Sequence, residues 1–130
     1  MIKNILITGG AGYIGSHITE ILVKRKKNIF ILDNLSTGHR KLINKKAKFF
    51  FAAIKKLDSI KKILIRCKID SVIHLAAALS VGESEKNPLK YKKINVDGTK
   101  KLLSSFKNSN VKNLIFSSTC AVYKDGLQKV

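Results

Sequence analysis

The sequence predicts an α/β chain built on a doubly wound parallel sheet. Three observations carry that expectation. Short, almost wholly apolar runs recur at residues 2–7, 28–32, 49–51, 72–75 and 114–116, the composition of strands buried on both faces. Helically spaced apolar residues follow the first, third and fourth of these runs, so the strands pair in parallel through right-handed crossovers. Between the first strand and the first helix lies a glycine-dense turn, Gly9-Gly10-Ala11-Gly12-Tyr13-Ile14-Gly15.

Each element follows from its residues. The first strand breaks at Gly9, which permits a tight turn. Gly12 lets the backbone approach a diphosphate, and Gly15 lets helix and strand pack closely. The turn collects backbone N–H groups and the positive end of a helix dipole at one point, which suits a diphosphate. In the helix that follows, Ile14, Ile18, Ile21 and Leu22 share one face, and the basic run at 24–27 complements its C-terminal dipole. The second strand ends at Asp33, and Asn34-Leu35-Ser36-Thr37-Gly38 is a polar loop with a weak helical segment after it at 40–44. Phe49-Phe50-Phe51 is the third strand, and residues 57–67 a helix with Ile60, Ile63 and Leu64 inward. Asp70-Ser71 leads into the fourth strand at 72–75. Asn87 as N-cap and Pro88 at the first helical position open a helix to about Phe106. Its apolar positions include Leu89, Val96, Leu102 and Leu103, with Leu102, Leu103 and Phe106 reading as core or interface. The fifth strand, 114–116, ends at Ser117-Ser118-Thr119. No repeat or linker divides residues 1–130.

A chain of 130 residues supports one domain with a real core. Its charge is unusual, 26 Lys+Arg against 8 Asp+Glu for a net +18. Nucleic-acid binders show such a balance with the basic residues clustered. Here the lysines run through every segment, and only Arg25, Arg40 and Arg66 carry the guanidinium that specific readers favour. No nucleic-acid partner is expected. Cys67 and Cys120 are too few and too isolated for a disulfide framework or a metal site, and His17 and His39 have no partners at metal-ligand spacing, so no metal is expected. The glycine turn interrupts the N-terminal apolar run, unlike a signal peptide, and no apolar stretch is long enough for a bilayer. The expected compartment is the cytoplasm, with no membrane partner.

Asp33 stands 18 positions beyond Gly15, where dinucleotide folds place the carboxylate that accepts hydrogen bonds from the adenosine ribose. Such a carboxylate repels a ribose phosphate, so NAD is expected over NADP, with His39-Arg40-Lys41 close enough to blunt the preference. His74 borders an apolar strand and reads as a packed strand-end residue. Glu83 and Glu85 read as solvated loop carboxylates.

Thr8-Gly9-Gly10-Ala11-Gly12-Tyr13-Ile14-Gly15-Ser16-His17 and Leu32-Asp33-Asn34-Leu35-Ser36 resemble the extended short-chain dehydrogenase/reductase superfamily, with its Rossmann-like fold. Val72-Ile73-His74-Leu75-Ala76-Ala77, Val81-Gly82-Glu83-Ser84 and Asn87-Pro88-Leu89-Lys90-Tyr91 narrow the resemblance to the UDP-glucose 4-epimerase family. Asn95-Val96-Asp97-Gly98-Thr99 and Phe116-Ser117-Ser118-Thr119-Cys120-Ala121-Val122-Tyr123 do the same. The resemblance implies a bound NAD that transiently oxidises C4 of a UDP-hexose and returns hydride to the opposite face. By it, Gly9, Gly12, Tyr13 and Ile14 line the pyrophosphate, and Asp33 and Asn34 the adenosine side. Ala76 and Ala77 lie along the cofactor, Asn95 supports the site from its helix, and Thr119 is the hydroxyl that meets the sugar oxygen. Gly15, Ala53, Ile54 and Ser117 complete the cofactor-binding set it implies.

Departures are equally readable. The superfamily uses Tyr-x-x-x-Lys as acid and base, since that spacing sets both side chains on one helical face and the ammonium lowers the phenol's pKa. Four residues beyond Tyr13, Tyr91 and Tyr123 stand His17, Asn95 and Leu127. The resemblance therefore implies that the pair and the substrate-binding part lie beyond Val130 and that the chain is the NAD-binding portion; one hypothesis is an enzyme half completed by a second polypeptide. Ala52-Ala53-Ile54-Lys55 replaces the family's Gly-Asp-Ile/Leu-Arg at the adenine, and Lys124 stands where a glycine commonly follows Val-Tyr. The resemblance also implies a homodimer interface on the helix that begins at Pro88. The alternatives are an inactive NAD-binding remnant, another NAD-dependent nucleotide-sugar epimerase or dehydratase, and a basic nucleic-acid-binding module.

Overall fold

The computed structural model describes residues 2–54, 56–119 and 122–123. Five strands, β1 (Asn4–Thr8), β2 (Asn28–Asp33), β3 (Lys48–Phe51), β4 (Ser71–His74) and β5 (Asn113–Phe116), form one sheet in the order β3-β2-β1-β4-β5. Every pairing is parallel, so the doubly wound expectation holds. The chain starts in the middle of the sheet, winds out to β3, then crosses back to place β4 on the other side of β1. The switch point lies between β1 and β4, and such a point opens a crevice at the carboxyl ends of the strands.

Alternation along β1 builds both halves of the core. Leu6 faces one side with Leu32, Val72, Ile60, Ile63, Leu64 and Leu102. That side is covered by α2 (Leu57–Arg66) and α5 (Gly98–Ser105). Ile5 and Ile7 face the other side with Ile29, Ile31 and Ile73, where Ile18, Leu22 and Val23 of α1 (Tyr13–Lys24) pack.

Strand edges differ from the expected ones by a residue or so. β2 includes Asp33, β3 begins at Lys48, and β5 at Asn113. β4 runs Ser71–His74, and the Leu75 N–H just after it still donates to the Thr8 carbonyl of β1. The 40–44 segment is a short 3-10 turn, Arg40–Leu42. Ile60, Ile63 and Leu64 are buried as expected.

The apolar stripe of α1 is corrected at Ile14 and Ile21, while Ile18 and Leu22 pack on the core as expected. Ile14 and Ile21 are more than half exposed, and the buried residues of the helix are Gly15 and Thr19. The helix sits so close to the glycine turn that only small side chains fit beneath it. A Cβ on Gly15 would meet the Gly9 carbonyl and lie 2.6 Å from Gly10 Cα.

The long helix is also interrupted. Asn87 caps α4 (Pro88–Tyr91) by accepting from the Lys90 N–H at 3.2 Å, with Pro88 at the first turn. The chain then passes through a π-helical stretch, Lys92–Asp97, into α5. Leu102 is fully buried and Phe106 packs on the core, whereas Leu89, Val96 and Leu103 face outward. Glu83 belongs to α3 (Val81–Lys86), which Ser80 caps by accepting from the Glu83 N–H, and not to a loop. Its carboxylate pairs with Lys90 and accepts from the Tyr91 hydroxyl at 2.9 Å, and the Lys90 hydrogen bond, then that of Tyr91, holds it below its usual range. No helix among the described residues is long and apolar enough to cross a membrane.

Candidate functional site

The crevice is built from the five strand ends. β1 delivers Thr8 into the glycine turn, where Gly9 adopts φ +73°, a conformation that side chains other than glycine rarely tolerate. Its missing Cβ also matters for packing, since that atom would stand 2.8 Å from the Ala76 nitrogen. The turn and the loop after β4 are therefore in direct contact, which brings Gly9 and Ala76 together.

Gly12 is the N-cap of α1 and offers no side-chain cap, and the first turn of the helix carries no acidic residue. The leading N–H groups of a helix have no partner inside it. Those of Tyr13 and Ile14 are thus left for an anion. A Cβ on Gly12 would meet only the Gly9 carbonyl, at 3.3 Å, so the space in front of it is open to a ligand. The N–H groups of Ala11 and Gly12 are committed elsewhere, to Asp33 Oδ2 at 3.0 Å and to the Gly9 carbonyl at 3.1 Å. The ring of Tyr13 and the side chain of Ile14 are exposed at the rim.

Asp33 is 8% exposed and fixes the turn from the end of β2. Besides accepting from Ala11, its Oδ1 accepts from the Leu35 N–H at 2.8 Å, holding Leu35 at φ +56°. Two carboxylate oxygens offer about four lone-pair sites, so two acceptances leave capacity for ribose hydroxyls. Asn34 is exposed beside it and accepts from the Ser36 N–H.

From the β3 end, the Ala52 N–H donates to the Asp33 carbonyl at 3.1 Å, so Ala53 lies next to the acidic residue in space. The side chain of Ile54 does not reach the crevice. It is buried in the core, against the position where a Gly98 Cβ would stand. Lys55, Cys120, Ala121, Lys124 and Leu127 lie outside the described residues.

Across the switch point, Asn95 grips the loop after β4. Its Oδ1 accepts from the Ala78 N–H at 2.8 Å and its Nδ2 donates to the Ala78 carbonyl at 3.0 Å. Ala77 is exposed between the two anchored residues. At the end of β5, the Ser117 N–H donates to the His74 carbonyl at 3.2 Å, and Thr119 is exposed two residues further on. All five strand ends and Asn95 thus converge on one edge of the sheet.

The buried histidine at this edge was legible only as a packed residue. His74 is 3% exposed, with Nδ1 2.6 Å from Thr8 Oγ1 and Nε2 3.0 Å from Thr99 Oγ1. Burial pushes its pKa below the ordinary 6.5. Thr8 and Thr99 carry no sequence signal of their own beyond flanking Gly9 and Gly98.

The family model described as NAD dependent epimerase/dehydratase matches residues 5–129. A UDP-glucose 4-epimerase of Lactobacillus helveticus is 49% identical over 119 residues, 92% of this chain and 36% of that protein. One from Klebsiella pneumoniae is 41% identical over 128 residues, 93% of this chain and 92% of that sequence. Among solved structures, a UDP-glucose-4-epimerase from Stenotrophomonas maltophila with bound NAD and formylated UDP-arabinopyranose superimposes with a TM-score of 0.90 at 34% identity. That alignment covers 96% of this chain and 40% of the other. The chain thus spans little more than a third of the Lactobacillus helveticus and Stenotrophomonas maltophila proteins.

Proposed function

The chain belongs to the NAD dependent epimerase/dehydratase family, and on that premise we propose that residues 1–130 form the NAD-binding portion of a cytoplasmic UDP-hexose 4-epimerase of galactose metabolism. The observation that carries the reading is the uncapped first turn of α1 facing Asp33 across the glycine turn. Tyr13 and Ile14 N–H groups would hold the diphosphate, with Gly9, Gly12 and Gly15 shaping the cradle. Asp33 and Asn34 would meet the adenosine ribose, and the backbone at Ala53 and Ile54 the adenine. Ala76, Ala77, Asn95 and Ser117 would flank the nicotinamide half. The cofactor, when bound, supplies reversible hydride transfer at a sugar carbon. Thr119 would offer its hydroxyl to the sugar oxygen. In the whole protein a Tyr-x-x-x-Lys pair, carried by a further segment or a second polypeptide, would exchange the proton with a UDP-hexose. A homodimer fits the outward apolar residues Leu89, Val96 and Leu103.

Calorimetry with NAD tests the cofactor reading. The wild-type chain is expected to bind, and Asp33→Asn to bind about 10- to 100-fold more weakly, the loss of a charge-assisted hydrogen bond of about 1.5–3 kcal/mol. Asparagine keeps one acceptor for the turn, so it separates ribose binding from loop collapse better than alanine does. A folded wild-type chain that takes no NAD points instead to a remnant.

A further inference from the structure

The hydrogen-bond chain through His74 has a direction, and that direction can be read from the donors. Thr99 Oγ1 donates its only proton to the Asn95 carbonyl at 2.6 Å. Toward His74 Nε2 it is therefore an acceptor, and Nε2 must carry a hydrogen. A buried imidazole among neutral neighbours is uncharged, so Nδ1 is bare and accepts from Thr8 Oγ1. The Phe116 ring also packs on the imidazole, with centroids 5.7 Å apart. Thr8 Oγ1 also faces the Ala76 N–H, at 3.4 Å.

Protons thus run Thr8 to His74 to Thr99 to the Asn95 carbonyl, while the Asn95 amide clamps Ala78 in both directions. One imidazole links the floor of the glycine turn on β1 to the π-helical stretch that carries Asn95. π-Helical turns of this kind recur at functional sites. The loop between Ala76 and Ala78 hangs between the two ends of the chain.

We propose that His74, in its Nε2–H form, is a positioning residue that sets the separation between the glycine turn and the Ala76–Ala78 loop, and so the width of the dinucleotide cleft. It touches no ligand itself. The inference rests on the cofactor reading above, and its test is arranged so that the two fail separately.

Thr99→Val removes the acceptor of Nε2–H with little change of shape, and Thr99→Ser restores it. In calorimetry with NAD, Thr99→Val is expected to bind at least tenfold more weakly, and Thr99→Ser within about threefold of wild type. Ile69→Val, a core change before the start of β4 and so at the sheet edge opposite the cleft, is expected to lower the melting temperature and leave NAD affinity unchanged, which a merely structural role for Thr99 would mimic. Nitrogen-15 NMR of the imidazole is expected to show the Nε2–H tautomer in wild type. Amide exchange at Ala78 is expected to quicken in Thr99→Val. Wild-type affinity in Thr99→Val, or a Nδ1–H tautomer in wild type, overturns the proposal. If the wild-type chain binds no NAD, the cofactor reading fails. The tautomer and the Ala78 exchange then decide the positioning role, and unchanged exchange overturns it.

Discussion

Asp33 and His74 each answer to two demands, and the residue scale is where they separate. Asp33 was readable as a ribose acceptor from its distance to Gly15, yet half of its hydrogen bonding belongs to the turn itself, through Ala11 and Leu35. His74 was readable only as a packed strand-end residue, because nothing in its neighbours along the chain announces Thr8 and Thr99. Its burial has a pH consequence. The native state refuses a proton that the unfolded state accepts below about pH 6.5, so stability is full above that value and falls as the pH drops below it. Urea midpoints should therefore fall between pH 7.5 and 5.5 in wild type and hold steady in His74→Gln. An equal decline in both would sink the assignment.

At the scale of elements, spacing located the helices and two of the inward residues of α1, Ile18 and Leu22, but misjudged Ile14 and Ile21. Hydrophobic period marked Ile14 and Ile21 as inward, whereas close approach to the turn places Gly15 and Thr19 deepest, with Ile18 and Leu22 packing beside them. Two glycine substitutions make the point measurable. Gly82, in α3, has nothing within 4 Å of a Cβ, so Gly82→Ala should raise stability by up to about 1 kcal/mol through helix propensity. Gly15→Ala gains the same propensity, but its Cβ meets the backbone of Gly9 and Gly10, which cannot step aside as a side chain can. Overpacking of about 1–3 kcal/mol then wins. Thermal unfolding should move the two variants in opposite directions, and a stabilised Gly15→Ala would refute the packing account.

On the scale of the whole molecule, charge and sheet pull against each other. A net charge of +18 on 130 residues repels itself and opposes compaction. Screening shortens from about 30 Å at ~0.01 M salt to about 3 Å at ~1 M. The melting temperature should therefore climb with sodium chloride across that range, and a flat profile would show that the lysines are too dispersed to matter. The apolar core that resists this repulsion lies on both faces of β1. β5, in contrast, leaves Leu114, Ile115 and Phe116 between 38% and 63% exposed. Association through this edge should rise with salt, as screening weakens the repulsion between like-charged chains.

What the sequence determined by itself is whatever depends on local spacing: five apolar strands, the helices between them, the glycine turn, the acidic residue at the end of β2. These determine the doubly wound sheet, because parallel strands buried on both faces admit few other arrangements. Tertiary structure alone decided the rest. It decided which residues of α1 lie deepest, turned Ile54 into the core, and joined Thr8, His74, Thr99 and Asn95 across 91 residues of chain, from position 8 to position 99. The reason is physical. Hydrogen-bond direction and close backbone approach depend on which atoms meet in space, and residues separated this far along the chain meet only once the sheet has closed.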